Sequence, residues 1–366
     1  MELTEIIIEK IRDNGPISFR DYMDMALYYP ALGYYTSGQE KIGESGDYYT
    51  TPYVTSIFGD IIAKQLEEMW HLLGKGPFTI VEYGAGTGVL CRDILNYLKN
   101  NPDLYDNLTY CIIEKSEVMR EKERAILPDK VVWYQSIGEI PKFTGCVLSN
   151  ELLDNFPVYQ VVMEDELMEF FVDYDNGFVE LLQPASPALK KYFEELDVTL
   201  PKGFRTEINL QAIEWINEIA EALDKGFMLT IDYGYGSGEL YQPQLSSGTI
   251  VCYYKHETND KVFDKIGKQD ITAHVNFSAL VHWGIKKGLE CTGFTNQANF
   301  MRTLGLVRYL RELEEKGKHN PASHKQNLML ANTLMLDMGG KFKVLIQHKG
   351  ISRPFLSGLQ LSQRFV

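Results

Sequence analysis

Residues 79–90 read TIVEYGAGTGVL, with Glu82, Gly84, Gly86 and Gly88 alternating in a run that passes from an apolar stretch into a helical pattern. Glu114 stands at the end of the next apolar run, in IIEKS. Glycines in a strand-to-helix turn let a ligand approach the backbone closely. A nucleoside triphosphate loop would need a Gly-Lys-Ser/Thr ending, and Val89 follows Gly88 instead. A dinucleotide fingerprint wants a third small residue at the position that Val89 fills. Glu82, two residues before the first glycine, would repel a pyrophosphate and attract a cation. Glu114 can accept hydrogen bonds from both hydroxyls of a ribose. S-adenosylmethionine meets these conditions, because it carries no phosphate but has a sulfonium and an ammonium. A ligand-free structural turn and a dinucleotide site are the alternatives that the glycines alone leave standing.

The elements needed to hold these residues are legible around them. FTIVEY, LTYCIIEKS, VVWYQS and CVLSN read as strands, alternating with helical patterns in TGVLCRDILNYLKN and EVMREKERAIL. Such alternation predicts an α/β protein with a doubly wound, Rossmann-like parallel sheet. Val89, Ile94, Leu95 and Leu98 are the expected buried positions of the first helix, and NNPDLYDN is expected to be a polar loop. The rhythm breaks at YQVVMEDELMEFFVDYDNGFVELLQ, which reads as hairpin strands turning at Asp175-Asn176-Gly177. Core strands return at GFMLTIDYGYG, followed by a long loop to DITAHVNF and a closing strand in KFKVLIQHKG. The expected organisation is a helical and loop extension over 1–77, a core over 78–155 and 226–366, and an inserted substrate-side subdomain over 156–225.

The 366 residues are 45% hydrophobic and 23% charged, ordinary values for a globular protein. A formal charge of −14 argues against a nucleic-acid partner, which needs a basic surface. The five cysteines are widely spread without a C-x-x-C pair, so neither a metal site nor a disulfide framework is expected. The start, MELTEIIIEKIRDNG, reads as an amphipathic helix and not as a signal or transit segment. No apolar run reaches the roughly 18 residues of a membrane span. These features predict a cytoplasmic protein without a membrane partner and leave a homodimer open.

Several further stretches carry a resemblance. ISFRDYMDMALYYPALGYY, GDYYTTPYVTSIFGDII, SNELLDNFPV, IDYGYG, GTIVCYYKH and DITAHVNF span about Pro16 to Phe277. Together with the glycine turn, they make the chain similar to the MidA-like family of methyltransferases. That family includes mitochondrial complex I assembly methyltransferases and bacterial members. The resemblance implies a seven-stranded methyltransferase core, S-adenosylmethionine as cofactor, and a protein substrate with an accessible arginine. A methyltransferase for a small molecule or another side chain, and a non-enzymatic cofactor-binding assembly factor, are the alternatives. The chain departs from the family in reading TTPY where many members read TSPE, so Tyr53 replaces an acid.

Methyl transfer aligns a nucleophile behind the sulfonium methyl and excludes water. A guanidinium nucleophile additionally needs carboxylates to hold it and take its proton. SNELLDN follows the fourth core strand, where ligands bind in such sheets. Glu151 is the first candidate to grip the substrate and Asp154 the second, with Asn150 orienting either. Asp154 reads equally well as a turn acid. Asp232, ending the next core strand, either lines the pocket or fixes its turn. Asp47, Tyr49 and Thr51 form a candidate lid over the cofactor, with an ordinary Gly-Asp turn as the alternative. His274 is a candidate proton acceptor, although a lone histidine is more often structural. Tyr28, Tyr29, Tyr34 and Tyr35 read as packing residues.

Overall fold

The computed structural model describes residues 2–38, 55–317 and 329–362. Asp47, Tyr49, Thr51 and Tyr53 lie outside them. The chain forms two compact units, one of Tyr49–Leu152, Ile216–Tyr233 and Trp283–Val366, the other of Met1–Tyr48, Leu153–Trp215 and Gly234–His282.

The first unit is built on a sheet whose strand order is Glu290–Asn296, Phe342–Lys349, Leu223–Tyr235, Phe143–Asn150, Phe78–Tyr83, Leu108–Ile113 and Val131–Tyr134. Leu223–Tyr235 and the four strands after it in that order pair in parallel, and Phe342–Lys349 is antiparallel to both of its neighbours. This is the doubly wound sheet expected from the alternating pattern. Its central strands are buried on both faces, which is why CVL, FML and VLI occur as unbroken apolar runs. From Phe78–Tyr83 the chain builds outward through Leu108–Ile113 to Val131–Tyr134. It then returns to the opposite side with Phe143–Asn150. Strand order reverses between these two neighbours, and ligands in such sheets bind outside the carboxyl ends at that point.

Helices Ile57–Leu72 and Val89–Leu98 belong to the same unit. They approach at Gly59, where a Cβ would sit 2.5 Å from that of Asp93. Val89 is only half-buried, and Leu90 takes the buried place expected of it. The supposed polar loop after this helix is itself a helix, Pro102–Asn107. The Asn101 side chain accepts the Leu104 N–H, Pro102 supplies the first-turn φ, and Leu104 is fully buried.

The second unit carries an antiparallel sheet in the order Ile17–Ser18, Leu167–Tyr174, Tyr159–Met163, Arg205–Ile208, and Phe178–Pro184 also pairs antiparallel with Leu167–Tyr174. Its hairpin turns at Asn176, in the left-handed region at φ 53°. The long loop expected before DITAHVNF holds a separate sheet of Val251–Tyr254, Glu257–Asn259 and Asp270–Thr272. Of Leu3, Ile6, Ile7 and Ile11, the apolar side expected of the N-terminal helix, Leu3–Asn14 buries Leu3, Ile7 and Ile11 and leaves Ile6 half-buried. The tyrosines of ALYYPALGYY both pack and anchor. Tyr28 and Tyr35 stack with centroids 5.5 Å apart. The Tyr35 hydroxyl lies within hydrogen-bonding distance of two acceptors, Asn155 Oδ1 at 2.8 Å and Asp270 Oδ2 at 2.9 Å.

Candidate functional site

The turn after Phe78–Tyr83 follows directly from its glycines. Gly84, Gly86 and Gly88 have φ of 61°, 58° and 75°, a region costly for residues with a Cβ. Space is limiting as well, because a Cβ on Gly84 would meet Leu152 Cδ1 at 3.0 Å and one on Gly88 would meet Leu127 Cδ1 at 3.3 Å. The Gly84 N–H donates to the Ile113 carbonyl at 3.0 Å, tying the turn to the end of the neighbouring strand. Gly88 then caps helix Val89–Leu98 without a side chain of its own to offer the first amides, which form a positive end.

Three carboxylates surround this turn. Glu82 is almost fully buried at the strand end and accepts a 2.7 Å hydrogen bond from the Tyr110 hydroxyl. Burial pushes its carboxyl up to about 7, against the lowering effect of that bond. Glu114 is half-buried just beyond Leu108–Ile113 and accepts the Ser116 N–H at 2.7 Å. Its pKa is also raised by burial, while the Ser116 and Lys115 amides and the Arg120 charge oppose the shift. Glu123 was not anticipated from the sequence. It is completely buried, and its Cγ lies 3.5 Å from where a Gly88 Cβ would stand. Trp133 Nε1 donates to Oε2 at 2.6 Å, and Oε1 is buried with no hydrogen-bond partner among the described residues. Burial moves this carboxyl up to about 8, with Glu114 and Glu82 adding to the shift and Trp133 and Arg120 opposing it. Arg120 fastens the same corner by donating to the carbonyls of Glu114 and Tyr134 at 2.6 and 3.0 Å.

Across the switch point, strand Phe143–Asn150 ends at a strained residue. Glu151 has φ 53°, uncommon for a side chain of its size and a feature that clusters at functional sites. Its N–H donates to the Ile231 carbonyl at 3.0 Å, and Asn150 Nδ2 donates to its Oε1 at 3.1 Å. Asp232 is fully buried and accepts the backbone amides of Leu152 and Tyr233, so it fixes both strand ends. The structure therefore brings Glu82, the three glycines, Glu114, Asn150 and Glu151 into one unit.

Asp154 and His274 belong to the other unit. Asp154 is buried, accepts the Asn155 side-chain amide at 2.9 Å, and offers its carbonyl to the Ala273 N–H at 2.9 Å. The next residue, His274, donates its own N–H to Thr249 Oγ1, and its ring centroid lies 5.4 Å from that of Tyr235. Thr249 in turn donates twice to the buried Glu207.

A turn with little space for Cβ atoms, bordered by three acids, fits a cationic ligand and opposes a pyrophosphate. Among the described residues no cluster of side chains suits a metal ion, and the five cysteines are free thiols, four of them buried.

Comparison with known proteins agrees with this chemistry. Residues 61–295 match the family described as S-adenosyl-L-methionine-dependent methyltransferases. The protein arginine methyltransferase NDUFAF7 of Homo sapiens, a mitochondrial protein by name, is 27% identical over 401 residues, covering 96% of this chain and 87% of that one. The mitochondrial NDUFAF7 homolog of Caenorhabditis elegans is 26% identical, with 93% and 85% covered. A crystal structure from Burkholderia thailandensis, bound to S-adenosyl-homocysteine, superposes with a TM-score of 0.88 at 28% identity, covering 99% of this chain and 95% of that one. The mitochondrial names overturn the cytoplasmic placement drawn from the sequence, since composition and the want of an apolar span do not specify a compartment. The chain belongs to the S-adenosylmethionine-dependent methyltransferase family that matches it and is, with its MidA-like relatives, a methyltransferase using that cofactor.

Proposed function

We propose that the methyl acceptor is an arginine side chain of a protein. The observation that carries this reading is Glu151, an acid held in a strained conformation at the switch point and contacted by Asn150. The curated relatives, named as protein arginine methyltransferases, point the same way. A carboxylate there can pair with a guanidinium through charge-assisted hydrogen bonds. Asn150 orients it by donating to Oε1. Asp232 keeps the segment in place from below through the Leu152 amide.

The cofactor supplies an electrophilic methyl on a sulfonium. Gly84, Gly86 and Gly88 are assigned to its close backbone approach, Glu82 to the charge environment of the turn, and Glu114 to the ribose hydroxyls. In this reading Glu151 draws positive charge toward itself as the guanidinium nitrogen attacks, and it receives the proton. Asp154 and His274 are given no part in the transfer in this reading, since Asp154 is engaged in a turn and His274 sits in the Thr249–Glu207 network.

Labelled methyl transfer into a lysate of cells lacking this protein tests the acceptor. Acid hydrolysis of the labelled protein should yield methylarginine. Label in a small-molecule fraction, or in another amino acid, would remove arginine as the acceptor.

A further inference from the structure

Helix Glu117–Ile126 is inside out. It buries Arg120 and Glu123 while leaving Val118 and Ile126 exposed at 44% and 41%. Arg120 is satisfied by two carbonyls, but Glu123 buries an oxygen that no described residue bonds. An unpaired buried carboxyl oxygen is costly, and such groups concentrate where function needs them. This one lies against Gly88, the residue that opens the helix behind the cofactor turn.

We propose that Glu123 is a charge sensor behind the glycine turn, which with Glu82 gives up a proton to solvent when the cationic cofactor binds and keeps it when the neutral thioether product binds. S-adenosylmethionine and S-adenosylhomocysteine share the adenosine and the amino-acid group. They differ by one methyl and one positive charge. Discrimination between them must therefore come from contacts to the methyl or from the field at the sulfur. Buried acids respond strongly to such a field because little water screens them.

Among the described residues, the groups facing these two acids are few. Tyr110 donates to Glu82, and Cys91 lies beside that pair as a neutral buried thiol. Trp133 donates to Glu123, with Arg124 over its indole ring at 5.3 Å. Glu114 adds negative charge and Arg120 opposes it. Both acids sit near neutrality, Glu82 at about 7 and Glu123 at about 8, so a nearby cation changes their protonation within the physiological range. Affinity for the cofactor should then rise with pH between about 6 and 8. The ratio of product to cofactor dissociation constants should rise with it, by up to about tenfold per pH unit for each acid that ionises on binding.

Calorimetry near pH 7 in two buffers of different ionisation heat counts the protons released. The proposal expects more protons released with S-adenosylmethionine than with S-adenosylhomocysteine, and a smaller difference in Glu123→Gln. Equal release for the two ligands in the wild-type protein would overturn it, whatever the variant does. An unchanged difference in folded Glu123→Gln would also overturn it. Trp133→Phe, which removes the donor favouring the ionised acid, should move the rise in cofactor affinity to higher pH, and an unmoved profile would again contradict the proposal.

Discussion

The Tyr110 hydroxyl donates to Glu82 Oε2 at 2.7 Å from the adjacent strand, and both side chains are buried. Parallel register puts Tyr110 opposite Ile80, so the bond runs diagonally on one face of the sheet. This bond is the principal influence favouring the ionised form of Glu82.

Tyr110→Phe should therefore raise the Glu82 pKa further and leave its oxygen without a donor. The expected loss of stability is about 1–3 kcal/mol. Cofactor affinity near pH 7 should fall and partly recover at higher pH, where Glu82 ionises. Thermal unfolding and a pH series of cofactor titrations measure both effects. Unchanged affinity across the series would detach Glu82 from the cofactor.

Gly86→Val forces a β-branched residue to φ 58°, at a cost of roughly 1–3 kcal/mol if the turn keeps its shape. The branched side chain would also occupy space at the turn. A folded variant with no measurable affinity for S-adenosylhomocysteine is expected, with circular dichroism confirming the fold. Wild-type affinity would move the cofactor away from this turn.

The core sheet was legible because parallel strands buried on both faces leave continuous apolar runs, as in Phe78–Tyr83 and Leu108–Ile113. The glycine turn was legible because φ near 60° at alternating positions is a demand that glycine meets best. Glu82, Glu114 and Glu151 were accessible to reasoning because each ends a strand. Glu123 was hidden, as apolar periodicity takes a helix to bury its aliphatic residues, whereas this one exposes Val118 and Ile126. A signal did exist, since Glu123 is four residues from both Met119 and Leu127 and thus interrupts an apolar stripe. The sheet around Val251–Tyr254 was obscured by its short strands of three or four residues. The helix at Pro102–Asn107 was obscured because its polar composition outweighed the Asn101 cap.

Buried acids with raised pKa values also set the pH dependence of stability. An unfolded glutamate loses its proton near 4.5, whereas folded Glu123 retains it to about 8. Between these values the folded form holds more protons, so this group makes stability fall as pH rises. Glu123→Gln removes the effect. Relative to wild type, the variant should gain stability from pH 5 to pH 8, by at most about 1.4 kcal/mol for each pH step of one crossed in that window. Unfolding temperatures of both proteins without cofactor, at the two pH values, measure it. A difference that is the same at both would show that Glu123 ionises normally.

In the proposed function, the acid at the end of strand Phe143–Asn150 acts on the methyl acceptor while the glycine turn holds the cofactor. Glu151→Gln separates the two roles, because glutamine keeps the size and one acceptor but loses the charge. The measurement is labelled methyl transfer by Glu151→Gln to the acceptor protein, with S-adenosylhomocysteine affinity determined on the same preparation. Transfer should fall by about 100-fold or more, the scale of a positioned acid–base group, with affinity close to wild type. Transfer at the wild-type rate, or a parallel collapse of affinity, would contradict this division of roles.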